Sequence, residues 1–200
     1  MVQNTTYSFS PASSLLALPL EDLDRREARY QPLSLSGRAK AALADAEPAL
    51  QAAERLLQTL TEQDSIGQAF DRVRKNPVFT GKMRPSEAKN LLLDGDDFIE
   101  GACRKLATWR KTMQRLADGE GIVTVQNKEH IASDAPLALA IAGNVNVGGH
   151  LSIVQLALAE LIKINASNAA GYRLMVAEIR RCATVLGDCE YAASIHTLVH

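Results

Sequence analysis

Little in this chain commits it to a compartment or a ligand. Cysteine is scarce: Cys103, Cys182 and Cys189 are too few and too irregularly spaced for a disulfide framework or a four-cysteine zinc site. Reduced thiols in a cytoplasmic protein are the expectation. Net charge is nearly absent, at −1 over 200 residues, so global electrostatics gives no case for nucleic acid or an anionic membrane. A secretory leader is not expected either. Residues 1–20 have no basic segment, and their short apolar stretch is broken by Pro19. What is present is ordinary globular material, with 46% apolar and 22% charged residues, enough to build one sizeable core.

The neutral total hides a pattern. Residues 1–71 carry a charge of −4, residues 72–115 carry +6, and residues 116–200 carry −3. The middle segment contains Arg104, Lys105, Arg110 and Lys111 on one expected helix, and these four are the candidate nucleic-acid contacts. Aromatic interleaving is poor, and the commoner arrangement for such a cluster is a solvated face paired with the acidic first segment. One stretch, between Asp134 and Glu160, has no acidic or basic residue and is long enough to span a bilayer. Its middle holds Gly143, Asn144, Asn146, Gly148, Gly149 and His150, so a buried soluble element is expected and membrane contact is not.

Periodicity predicts a mainly α, multi-helix single domain over 35–199, with at most a minor β component around 121–142. Residues 1–34 read as a poorly ordered arm with one short helix at 20–29. Two halves follow, a helical one at 35–118 and a mixed one at 121–199. From Ser36 to about Gln63, Ala39, Leu43, Ala46, Leu50, Ala53, Leu57 and Leu60 form one stripe, with Arg38, Asp45, Glu54 and Arg55 off it. Pro48 inside the stripe predicts a kink, or two helices meeting near Ala46. Further helices are expected at 65–75, at 87–93, and from about Asp97 to Asp118-Gly119, the last with Ile99, Ala102, Leu106, Trp109, Met113 and Leu116 on one face. Gly121–Gln126 reads as a strand, and 136–142 is an apolar run of undecided type. Helices are expected at 151–164, 171–186 and 190–199.

Candidate chemistry is thin. Asp94-Gly95-Asp96-Asp97 lacks the oxygen ligand and the glycine of a calcium loop and reads as a turn with a helix cap. His196 and His200, four apart, lack the glutamate of a zincin motif, and no metal site is expected. No nucleophile elbow, Walker loop or dinucleotide fingerprint occurs. The glycine-rich loop Gly143–Gly149 enters a helix near His150; it reads first as a helix–helix connection that needs small residues, and otherwise as a turn whose backbone N–H groups could face an anion.

The segment "PLALAIAGNVNVGGHLSIVQLALAELIKINASN" (136–168) resembles the acyl-CoA reductase branch of the aldehyde dehydrogenase superfamily. The likeness implies an apolar strand running into the A-G-N turn, then a helix, then a second strand ending at Lys163. It assigns Asn144 as an oxyanion-stabilising amide, Lys163 as the contact to an NADP ribose or phosphate, and Ser167 beside it. The family's nucleophilic cysteine lies far downstream of such a segment, so the likeness implies an NADP-binding relative that is truncated or inactive by itself. From the residues themselves no catalytic set can be assembled. The leading expectation is a non-enzymatic helical protein acting through a protein partner or self-association.

Overall fold

The computed structural model describes residues 23–75, 98–131 and 147–193. Among them the chain is mainly α, with six α-helices and one small antiparallel hairpin. The helices are α1 (Leu23–Tyr30), α2 (Leu35–Thr61), α3 (Ile66–Arg74), α4 (Phe98–Ala117), α5 (Val147–Ile164) and α6 (Ala169–Ala192). The hairpin pairs β1 (Ile122–Val125) with β2 (Lys128–Ile131), and a single 3-10 turn, Ala166–Asn168, joins α5 to α6. The helix expected at 87–93, the apolar run 136–142 and the terminal residues 194–199 lie outside the described residues.

The four long helices close a ring: α2 packs on α4 and α6, and α5 packs on the same two. Helix α3 lies against α5. The N-terminal end of α6 meets the C-terminal end of α2 through the Tyr172 hydroxyl, 3.1 Å from Gln63 Oε1. At the other end Cys189 lies near the α1–α2 junction, so α2 and α6 run antiparallel. The expected stripe on α4 is buried in full, from Ile99 to Leu116. Helix α5 is more enclosed, burying Val147, His150, Leu151, Ile153, Val154, Ala157, Leu158 and Leu161 against three neighbours. That enclosure accounts for the part of the uncharged stretch that lies in α5, since a helix covered on most sides has little room for solvated charge. No helix of the described residues is long and apolar enough to cross a membrane.

Four details differ from the sequence reading. Helix α2 is one helix of 27 residues running through Pro48, where two meeting helices were an option. Proline removes the N–H that would reach the Ala44 carbonyl, but Ala44 is solvent-exposed, so water can serve that acceptor. Its buried surface is also wider than the single stripe, adding Ala42, Ala49, Ala52 and Leu56, because it packs between two helices. Helix α6 continues to Ala192 without the break expected after Leu186: Cys182, Val185, Leu186 and Cys189 keep the apolar phase across Gly187. The hairpin has a second strand that periodicity did not reveal. Gln126 and Asn127 both adopt positive φ (50° and 62°), the two-residue turn whose twist suits a hairpin. Lys128, Glu129 and His130 carry no apolar alternation, so β2 had no signal of its own.

Residues 23–34, placed by sequence in a loose arm, are folded onto the bundle. Tyr30 is fully buried and the Arg26 side chain is 7% exposed.

Candidate functional site

The basic segment resolves into individual partners. Arg110 lies on α4 facing α2 and is held by two carboxylates from the acidic first segment. Its Nε donates to Glu47 Oε2 at 3.1 Å and its Nη1 to Glu54 Oε1 at 2.7 Å, with further bonds from Nη2 to both. These bonds raise the guanidinium's affinity for its proton, Glu54 contributing most. Partial burial alone would raise the Glu47 carboxyl, yet the Arg110 and Gln51 hydrogen bonds hold it below its usual range. Arg115 pairs with Glu120 just past the end of α4. Arg72 reaches Glu160 of α5 at 3.9 Å, and Arg74 reaches Asp71 at 3.5 Å. Of the four nucleic-acid candidates, Arg110 is thus committed to α2, Arg104 and Lys111 are exposed on α4, and Lys105 is half-buried. The sequence put all four on one helix; only the fold shows that one of them faces inward.

The residues assigned by the reductase likeness do not come together among the described residues. Asn144 lies outside them. The strand expected ahead of Lys163 is instead the last turns of α5, because Leu158 and Leu161 are spaced for a helix packed on α6. Lys163 is 64% exposed and its Nζ donates to Glu160 Oε1 at 2.6 Å. Ser167 donates to Asn165 Oδ1 at 2.6 Å on the exposed turn that follows. A phosphate at Lys163 would compete with the Glu160 carboxylate.

A second polar cluster was not foreseen. It forms where α1, α2 and α6 meet. Asp45 Oδ2 accepts from three donors of α1: Arg26 Nη1 at 3.4 Å, the Arg29 guanidinium, and the Tyr30 hydroxyl. Arg26 Nη1 also donates to the Cys189 sulfur at 3.2 Å, while Arg26 Nε is buried with no hydrogen-bond partner. Burial pushes the Tyr30 hydroxyl up to about 12. It also pushes the Cys189 thiol up to about 11, although Arg26 and Tyr30 oppose the shift. Cys182, seven residues earlier on the same face, is pushed up to about 12 by burial and by Glu178. Both thiols stay protonated at neutral pH, so neither is poised as a nucleophile in the closed fold. The signal that could have found the cluster was Asp45 itself, an acid off the α2 stripe at a position able to meet the arginines of 25–29.

A cleft of about 350 Å³ lies between the α1–α2 connection and β2, lined by Leu33, Leu35, Arg38, Lys128, Glu129 and His130. Glu129 Oε2 accepts from the Leu35 N–H at 2.5 Å, tying the hairpin to the first turn of α2. A carboxylate there complements the positive end of the helix. Among the described residues no three His, Cys, Asp or Glu side chains are grouped to hold a metal ion. His196 and His200 lie outside them.

No protein-family model, curated protein sequence or solved structure matches the chain.

Proposed function

We propose that the chain works through protein contacts, as a helical assembly element whose docking surface is the outer side of α6. The observation that supports this reading is the kind of residue on that side. Ala170, Arg173, Ala177, Arg180, Thr184, Gly187 and Tyr191 are all exposed and alternate at spacings of three and four. Such a line runs straight along a helix. A solvated helix face normally mixes both signs of charge. This one offers small side chains, two arginines and no acid, and Tyr191 is 56% exposed. Leu174 beside it is 60% exposed, and Leu156 on α5 is 41% exposed. Small residues permit close approach of another helix, and the arginines suit a partner that carries carboxylates or a second copy that supplies them.

The test is sedimentation velocity together with affinity capture from native lysate, comparing wild type with Ala177→Glu and Tyr191→Glu. Self-association or a captured partner that both substitutions abolish, with the melting temperature unchanged, supports the reading. A strictly monomeric protein that captures nothing, or captures the same species with either glutamate in place, overturns it.

A further inference from the structure

We propose that α1 is a releasable strap, latched to the bundle at Asp45, whose undocking uncovers Cys189 while the bundle stays folded. The inference is independent of the docking surface on α6.

Three features carry it. The strap has little apolar hold: of its eight residues, Leu23–Tyr30, only Arg26 and Tyr30 are buried, and Leu23 packs partly. Helix α4, by contrast, buries nine residues. One buried tyrosine is a small apolar hold, so α1 belongs among the segments that open at less than the global cost. Next, three of its polar contacts share one acceptor. Arg26, Arg29 and Tyr30 converge on the same oxygen of Asp45, and Arg26 remains imperfectly satisfied at Nε. These three contacts weaken together when that carboxylate loses its charge.

The third feature is a hinge fastened to α2. Ser34 caps α2 by accepting from the Gly37 N–H at 3.1 Å. Arg38 donates to the Gln31 carbonyl at 2.9 Å and to the Leu33 carbonyl at 3.0 Å. These contacts fasten residues 31–34 to the first turn of α2, while the Gln31 and Leu33 N–H groups bond the Glu27 and Tyr30 carbonyls at the end of α1. The strap can therefore swing while α2 keeps its cap. Under the closed strap lies Cys189, fully buried and touched by Arg26. Cys182 is equally buried, but it faces Ala53 of α2 and is not under α1, so it reports on the bundle.

The experiment is N-ethylmaleimide labelling of the full chain under native conditions, with each cysteine quantified by peptide mass spectrometry. Cys189 is expected to label faster than Cys182 in wild type. Asp45→Asn is expected to raise the Cys189 rate roughly ten- to hundredfold, the effect of losing charge-assisted bonds, while leaving the Cys182 rate unchanged. Tyr30→Phe keeps the packing and removes one donor, and is expected to give a smaller rise of about threefold to tenfold. It also decides the matter if Asp45→Asn does not fold. Equal labelling of Cys189 and Cys182 in wild type overturns the strap, because α1 then opens only with the bundle. A faster Cys189 that responds to neither substitution overturns the latch at Asp45.

Discussion

Helix α2 holds arginines from two other helices, and it holds them differently. On the α4 side, Arg110 meets two carboxylates with its whole fork, and all three side chains remain about a third exposed, at 32%, 37% and 36%. On the α1 side, Arg26 meets one carboxylate and a thiol almost out of water, and one of its nitrogens is left without a partner. The exposed clamp is complete, and its solvation means that making or losing it changes stability little. The buried one is incomplete, and breaking it strands a charge unless the element carrying that charge can leave. Removal of α1 to solvent is the escape that α4, with nine buried residues, does not have.

The largest expected effect tests the buried side by pH. Cys182 and Cys189 have folded values raised from 9.0 to about 12 and about 11. A raised value means that stability is fully present below the unfolded value and is lost as pH rises through the folded one. Each thiol should cost on the order of 1 kcal/mol per pH unit above 9, so the pair removes roughly 2–3 kcal/mol by pH 10. Urea denaturation from pH 7 to 10 reads this, and Cys182→Ala should halve the slope. A flat profile would mean that the thiols are not shielded from water.

Asp45→Asn comes next, with an expected loss of about 1.5–3 kcal/mol, the worth of charge-assisted bonds, because α1 can lift and rehydrate Arg26. A loss above about 5 kcal/mol, beyond even a trapped buried charge, would make α1 integral to the core. Arg110→Gln should cost no more than about 1 kcal/mol, and less at high salt, since its partners are open to solvent. It should also release the Glu47 carboxyl toward its ordinary range. In wild type that carboxyl's depressed value contributes stability above the usual carboxylate range that is lost as pH falls through it. The smallest effect belongs to Arg104→Gln with Lys111→Gln, expected within about 0.5 kcal/mol by the same denaturation curves. A mobility shift on duplex DNA that is strong at low salt and lost in this double variant would instead make α4 a nucleic-acid surface.

Much of the fold was legible and the polar seams were not, for one physical reason. The stripe Ile99–Leu116 on α4 and the stripe Leu151–Leu161 on α5 are local: a helix buried on a face announces it within its own sequence. Asp45 and Glu54 looked like solvent positions because they lie off the α2 stripe. Their partners are 15 to 56 residues away, and no spacing rule joins them. Tyr30 and Arg26 were misplaced in a loose arm because a short charged helix resembles one until the acceptor its donors share is located. The strand β2 was hidden by its charges, and its sign was the turn at Asn127 rather than anything in Lys128–Ile131.

Native-state hydrogen exchange in rising urea compares the two seams most directly. Amides of α1 should exchange through an opening that is nearly independent of urea and well below the global free energy, while those of α2 and α4 should exchange only with global unfolding. Asp45→Asn should weaken the protection of α1 and leave α4 tied to the global curve. If the amides of α1 and α4 instead converge on one free energy and one urea dependence, the buried seam opens only when the whole bundle does, and the contrast between the two arginines fails.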